Sequence, residues 1–222
     1  MSSDLVTDLE LELEGERILL LPERAVYWPL AESLFVADVH WGKAATFRAA
    51  AIAIPDETVG DNLARLTQAL DRTGARRLIL LGDLLHARRG RAASVLASIG
   101  DWRTRHARLE ILLVRGNHDV RAGDPPAEWN IACADAPVLL APFVLHHEPV
   151  ESESGYTLAG HLHPGVRLVG SARQEVRLPC FWFGARIGVL PAFSTFTGLA
   201  TVRPQVGDRV FVIVEDEVIA VT

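Results

Sequence analysis

The ten residues Ile111–Val120, ILLVRGNHDV, begin as four apolar residues and pass directly into Arg-Gly-Asn-His-Asp. A run this short and this apolar fits a strand covered on both faces of its sheet. Gly116 is expected to let the chain turn sharply where the strand stops. Three consecutive side chains able to bind metal or move protons then follow, and a core strand has no structural need of them.

The same construction recurs along the chain. Leu34–Ala37 (LFVA) ends in Asp38-Val39-His40, and Leu78–Leu81 (LILL) in Gly82-Asp83-Leu84-Leu85-His86. Phe143–Leu145 (FVL) ends in His146-His147-Glu148-Pro149, and Tyr156–Ala159 (YTLA) in Gly160-His161-Leu162-His163. Ligands of open α/β sheets collect beyond the carboxyl ends of strands, so these polar ends are expected to converge on one site. Asp38 with His40, and His161 with His163, stand two residues apart, which in extended chain places each pair on one face.

Between these points the first half alternates strand and helix. LELEL (Leu9–Leu13) alternates with period two, and ILLL (Ile18–Leu21) is an apolar run. GKAATFRAAAIAI reads as helix up to Pro55. A helix-period stripe through Val59, Leu63, Leu66 and Leu70 closes at Gly74, and AASVLASIGDWRTRH supplies the next helix. From about Pro137 the texture changes to strands without helices, ending in DRVFVIVEDEVIAV with Glu215-Asp216 at a hairpin tip. No linker rich in Gly, Pro or Ser divides the chain, and no repeat is present. The expected fold is α/β, one domain over residues 1–222, a two-sheet β-sandwich flanked by helices.

Composition narrows the function. A net charge of −6 argues against a protein that coats nucleic acid through a broadly basic surface. Basic residues cluster locally, in HARRGR (His86–Arg91), ARR (Ala75–Arg77) and WRTRHAR (Trp102–Arg108), the last two reading as solvated surface. Cys133 and Cys180 lie far apart, which suggests neither a disulfide framework nor a thiolate zinc site and fits a reducing cytoplasm. No signal sequence and no membrane-length apolar run is seen. Trp41 and Phe181-Trp182-Phe183 raise the question of base stacking; CFWFG reads better as core packing on alternating sides, and the sequence leaves the choice between the two open.

The donor chemistry is that of a metal centre. Asp38, His40, Asp83, Asn117, one of His146 and His147, His161 and His163 offer nitrogen and oxygen without thiolate, which favours manganese, iron or zinc. Seven donors exceed one ion and suit two bridged by a carboxylate, for which Asp83 on a central strand is placed. Two ions ~3.5 to 4 Å apart can hold a hydroxide between them and clamp a phosphate for in-line displacement.

The ordered series Asp-x-His, Gly-Asp-x-x-His, Gly-Asn-His-Asp, His-x-Pro and Gly-His-x-His resembles the calcineurin-like metallophosphoesterases. More narrowly, ADVHWGKAATFR, LGDLLHAR, LLVRGNHD, LAGHLHPGVRL, LPCFWFG and LPAFSTFTG are similar to the ligase-associated DNA damage response endonucleases of the PdeM type. That resemblance runs from about Leu9 to about Val214. It implies that Asp38, His40, Asp83 and His163 hold one metal, and that Asp83, Asn117, His147 and His161 hold the other. The register of His-x-Pro selects His147 over His146. It further implies that His118 protonates the leaving oxygen or stabilises the phosphate; Asp119, next to it in the chain, is expected to orient that ring or raise its basicity. His86 then stands behind the metal ligands, while Lys43, Arg48, Arg88, Arg89 and Arg115 are candidates to meet substrate phosphates. The implied activity is a manganese-dependent endonuclease acting on single-stranded DNA in repair, in functional association with a DNA ligase and a helicase. Two alternatives stand beside it. One is a phosphatase, cyclic-nucleotide phosphodiesterase or pyrophosphatase of the same fold. The other is a non-catalytic scaffold, against which the intact donor set and His118 speak.

Overall fold

A computed structural model describes residues 8–49, 59–169 and 175–221 of the chain. The first sheet runs in sequence order through β1 (Leu9–Leu13), β2 (Glu16–Leu21), β3 (Ala25–Trp28), β4 (Ser33–Ala37), β5 (Arg77–Leu81), β6 (Glu110–Val114) and β7 (Ala132–Ala134). β1 to β4 pair antiparallel and β4 to β7 parallel. Parallel neighbours need crossovers. Helices α1 (Lys43–Ala49) and α2 (Val59–Thr73) lie between β4 and β5, and α3 (Ala93–Arg105) between β5 and β6.

Strand alternation explains why these strands are apolar throughout. Leu34, Val36, Leu78, Leu80, Ile111 and Leu113 share a buried cluster with Leu63, Leu66 and Leu70 of α2 and Ile99 and Trp102 of α3. Their neighbours Phe35, Ala37, Ile79, Leu81 and Val114 face the other way, into a second cluster with Phe143, Leu145, Leu158, Phe181, Phe183 and Phe211. That second cluster is the filling of a sandwich.

Among the described residues, its other slice comprises nine further strands. α4 (Asn117–Ala122) follows β6, and then come β8 (Val138–Leu140), β9 (Phe143–Leu145), β10 (Tyr156–Ala159), β11 (Pro164–Val169), β12 (Glu175–Phe183), β13 (Ile187–Val189), β14 (Ala200–Thr201), β15 (Arg209–Val214) and β16 (Glu217–Ala220). The order is β14-β11-β12-β13-β10-β9-β8, with the β15–β16 hairpin attached to β12. The two-sheet α/β sandwich with outer helices is therefore what the chain forms.

The differences from the sequence reading are local. β3, β7, β14 and α4 were not expected, and of these α4 matters most, because it contains Asn117, His118 and Asp119. The helix expected up to Pro55 is seen from Lys43 to Ala49, and its remainder lies outside the described residues. Trp41, Phe181 and Phe183 are buried, and Trp182 donates its ring N–H to Asp208 at 2.8 Å, which is core and hairpin packing. No helix among the described residues is long and apolar enough to cross a membrane.

Register brings the polar strand ends together. Ala37, Leu81 and Val114 sit side by side, so Asp38, Asp83 and Asn117 leave the first sheet at one edge. In the second sheet Leu145 pairs with Leu158, which carries His147 and His161 to the same edge. Ala37 bridges to Ala192, Phe193 N–H donates to the Ala37 carbonyl at 2.8 Å, and Gly160 N–H donates to the His147 carbonyl at 3.0 Å.

Candidate metal centre

Beyond the strands the backbone leaves the extended region. Asp38, His40, Asp83, His161 and His163 all have φ between 48° and 68°. The reasoning that residues two apart share a face of extended chain therefore does not hold here. Left-handed backbone at a non-glycine residue costs about 1–3 kcal/mol each and persists where surrounding contacts impose it. His40 N–H donates to the Asp83 carbonyl at 2.8 Å, Trp41 N–H to the Leu84 carbonyl at 2.8 Å, and His161 N–H to Asp38 Oδ2 at 2.8 Å. These bonds tie the loops to one another, so the curl of one fixes the next.

The result is two groups of donors sharing Asp83. In one, His40 Nε2 lies 3.4 Å from His163 Nε2 and 3.8 Å from Asp83 Oδ2, and His163 Nε2 lies 3.4 Å from Asp38 Oδ1. In the other, His147 Nε2 lies 3.1 Å from Asn117 Oδ1, 3.0 Å from His161 Nδ1 and 3.5 Å from Asp83 Oδ1. All seven sequence-expected donors are thus in one place, and the two histidines of Gly-His-x-His part, one to each group. His147 is buried with Nδ1 on the Leu81 carbonyl at 3.0 Å, while His146 is not among the gathered donors. Asp83 turns one oxygen to each group, the arrangement a bridging carboxylate needs.

The residues fit divalent cations. Asp38 and Asp83 are 0% and 2% exposed, and among the described residues the basic side chains within 4.0 Å of them are imidazoles. Burial pushes His40 down to about 2, so the ring beside these carboxylates is neutral and does not balance them. Among the described residues, Asp38 Oδ1 is buried without a hydrogen-bond partner. Two buried carboxylates set this close together need positive charge, and this set of hard and borderline donors is suited to divalent metal.

Glycines make room for the cluster. Gly116 has φ −97°, a conformation open to any residue, so the sharp turn expected of it is not why glycine stands there. A Cβ at Gly116 would lie 2.3 Å from Asp83 Oδ1, and one at Gly82 would lie 2.1 Å from His147 Nδ1. At Gly116 the requirement is close approach, not a turn, whereas Gly82, at φ 79°, meets both demands.

The Asn-His-Asp triad divides differently from the sequence expectation. Asp119 does not orient His118. Its Oδ1 accepts from Leu84 and Leu85 N–H at 3.0 and 3.2 Å, and its Oδ2 from Gly116 N–H at 2.9 Å. It stands at the third position of α4 and ties the start of that helix to the Asp83 loop. Burial raises the pKa of this carboxyl, against which those backbone donors work. The group on His118 Nδ1 is the backbone carbonyl of His86 at 2.8 Å. A carbonyl only accepts, so Nδ1 carries the hydrogen and Nε2 faces Asp83 Oδ2, 4.0 Å away. The His86 ring stacks on His118 with centroids 4.9 Å apart. Expected to stand behind the metal ligands, His86 lies within reach of His40 and His118 as a further histidine group.

Of the cations expected to meet substrate, Arg115 is committed elsewhere. Its guanidinium bridges Asp124 at 2.8 and 2.9 Å and Asp135 at 3.0 Å, which corrects the expectation that it contacts phosphate. Arg88 and Arg89 are exposed on the loop after Asp83, with Arg88 Nε donating to the Arg121 carbonyl at 3.2 Å. Lys43 opens α1, with Nζ 5.6 Å from the Phe196 ring centroid. The Arg48 side chain lies outside the described set. Sequence reasoning missed Phe47 and Phe196, because half-buried phenylalanines in a helix and a loop carry no spacing signal.

The neutral histidines predict a pH response. Burial lowers both His40, to about 2, and His86, to about 4. In the unfolded chain both take up protons below ~6.5, so unfolding binds protons that the folded state refuses. Stability of the metal-free protein is therefore expected to be full above ~6.5 and to fall as pH drops below it. His40 alone contributes a slope approaching ~1.4 kcal/mol per pH unit. Thermal melts of the chelated protein between about pH 7.5 and 5 check this; a flat midpoint would contradict it.

Scans against protein-family models and against curated proteins gave no match. Among solved structures, the Pseudomonas putida nuclease MPE superposes with a TM-score of 0.86 and 40% identity, covering 97% of this chain and 100% of its own. The E. coli phosphoesterase YfcE is 20% identical with a TM-score of 0.36 over 82% of this chain and 88% of its own, too distant to bear on the chemistry. A fold shared end to end with the Pseudomonas enzyme at 40% identity, carrying a buried His/Asp centre suited to divalent metal, places this chain in the calcineurin-like metallophosphoesterases, hydrolases acting on phosphate esters.

Proposed function

We propose that the chain is a single-domain, manganese-dependent endonuclease that cleaves phosphodiesters of single-stranded DNA. On this reading it works in the cytoplasm in DNA repair, in functional association with a ligase and a helicase. The observation that carries the reading is the position of Asp83, one oxygen toward each of two donor groups, in a fold related over its full length to a nuclease.

In this proposal Asp38, His40, Asp83 and His163 hold one ion, and Asp83, Asn117, His147 and His161 the other. When bound, such a pair supplies positive charge to a phosphate and acidifies water. The chain's own residues do the rest. Asn117 offers an amide oxygen, which adds no negative charge against an incoming phosphate. His118, held through Nδ1, presents Nε2 as the atom that gives a proton to the leaving oxygen. Asp119 acts by keeping the start of α4 against the Asp83 loop. Arg88, Arg89 and Lys43 are the cations placed to meet flanking phosphates.

The test is incubation of manganese-loaded protein with circular single-stranded DNA, which has no ends, beside a small chromogenic phosphodiester. Nicking of the circle, abolished by chelation, is expected. Hydrolysis of the small ester alone at every enzyme level would instead support a small-molecule phosphoesterase, which the net charge of −6 favours.

A further inference from the structure

Next to His118 the site is walled by aromatic rings that the metal chemistry does not use. His86 lies between His118 and Phe47: its ring stacks on His118 at 4.9 Å and 22°, and on Phe47 at 6.2 Å and 24°. Phe47 in turn meets Phe196 edge to face at 5.6 Å, and Lys43 Nζ lies 5.6 Å from the Phe196 centroid. Both phenylalanines are only half-buried, in contrast to the fully covered rings of the core.

Two separate anchors hold this pair beside the donors. Phe47 is carried by α1; two residues before that helix, Trp41 donates its N–H to the Leu84 carbonyl and its own carbonyl accepts His86 N–H at 3.1 Å. Phe196 sits on the loop after β13, where Ser194 N–H donates to the Asp38 carbonyl and His163 Nδ1 lies 3.3 Å from the Gly198 carbonyl. One ring is thus fixed to the His118 side of the site and the other to the His163 side. Half-exposed rings immobilised at the rim of a phosphate site, beside a cation, offer the combination that single-strand binders use: a π-surface for a base and charge for the backbone.

We infer that Phe47 and Phe196 form a lip on which a base adjoining the scissile phosphate of single-stranded DNA stacks, with Lys43 set against the neighbouring backbone charge. The inference rests on the nuclease reading and adds the element that distinguishes a nucleotide strand from a simple phosphate ester. An aromatic lip is sequence-tolerant, because every base has a π-face, and it favours unpaired strands, whose bases are free to unstack.

The test is a cycle of variant against substrate. Phe47→Leu and Phe196→Leu, made singly, keep apolar volume and remove the aromatic face. Affinity for a fluorescent single-stranded oligonucleotide is measured by anisotropy in chelator, and cleavage is measured separately with manganese. Each variant is expected to bind the intact oligonucleotide about fivefold or more weakly than the unsubstituted protein. Placing abasic residues beside the cleaved phosphate should cost the unsubstituted protein a comparable factor and cost the variants little. If both variants bind the intact oligonucleotide as tightly as the parent while DNA is still cleaved, the lip is wrong and the nuclease reading stands. If the parent binds no oligonucleotide and hydrolyses only small esters, both fall together.

Discussion

Asp83→Ala is expected to lower phosphodiester turnover by at least about 10³-fold and to release metal from both halves of the site. The expectation follows from the two directions in which the carboxylate faces, Oδ1 toward His147 at 3.5 Å and Oδ2 toward His40 at 3.8 Å. Loss of Asp83 also removes the acceptor of His118 N–H, 2.9 Å from Oδ1, so the first turn of α4 loses its hold on the site. Asn117→Ala, by contrast, touches one donor group alone. Equilibrium dialysis distinguishes the two: Asp83→Ala should lose both bound ions and Asn117→Ala one. Tight retention of two ions by Asp83→Ala would remove the bridging role assigned to it.

His118→Ala should behave in the opposite manner, keeping metal and losing chemistry. Turnover of substrates with poor leaving groups is expected to fall by ~10²-fold or more, and that of a nitrophenolate ester by much less. The contact between His118 and Asp83 Oδ1 is made by the backbone N–H, which alanine retains, so the carboxylate is not displaced. The ring, in contrast, is held by the His86 carbonyl through Nδ1, which leaves Nε2 as the atom toward the substrate, a proton donor in the imidazolium form of the ring. A variant of unchanged rate toward alkyl leaving groups would defeat the assignment of His118 as proton donor. One that lost its metal would show the ring to be part of the cation site instead, as its grouping with His40 and His86 allows.

Much of this is legible in the amino-acid sequence. Apolar runs four or five residues long, each ending in Asp, Asn or His, locate strand ends and the chemistry they carry, because a strand covered on both faces has no other use for such residues there. The choice of His147 over His146 was readable from register and agrees with where the rings lie, one in the donor cluster and the other outside it. The role of Asp119 was not legible. Adjacency to His118 suggested an orienting carboxylate, but both residues lie in a helix, where neighbours along the chain diverge by about 100° and face different surroundings. Gly116 was misread for a similar reason. Its meaning lies in the carboxylate packed against it from β5, not in its own φ.

The sequence by itself determined the α/β class, the two sheets, the donor types and the strand ends that carry them, because burial and period-two alternation act over a few residues and leave their mark in composition. Only the tertiary structure decided that Arg115 is spent on Asp124 and Asp135, that a backbone carbonyl of His86 holds His118, and that Phe47 and Phe196 meet at the rim. Each of these depends on which separate segments of the chain touch. Such contacts join residues tens of positions apart, as His40 to His163 does, and no local pattern in the chain encodes them.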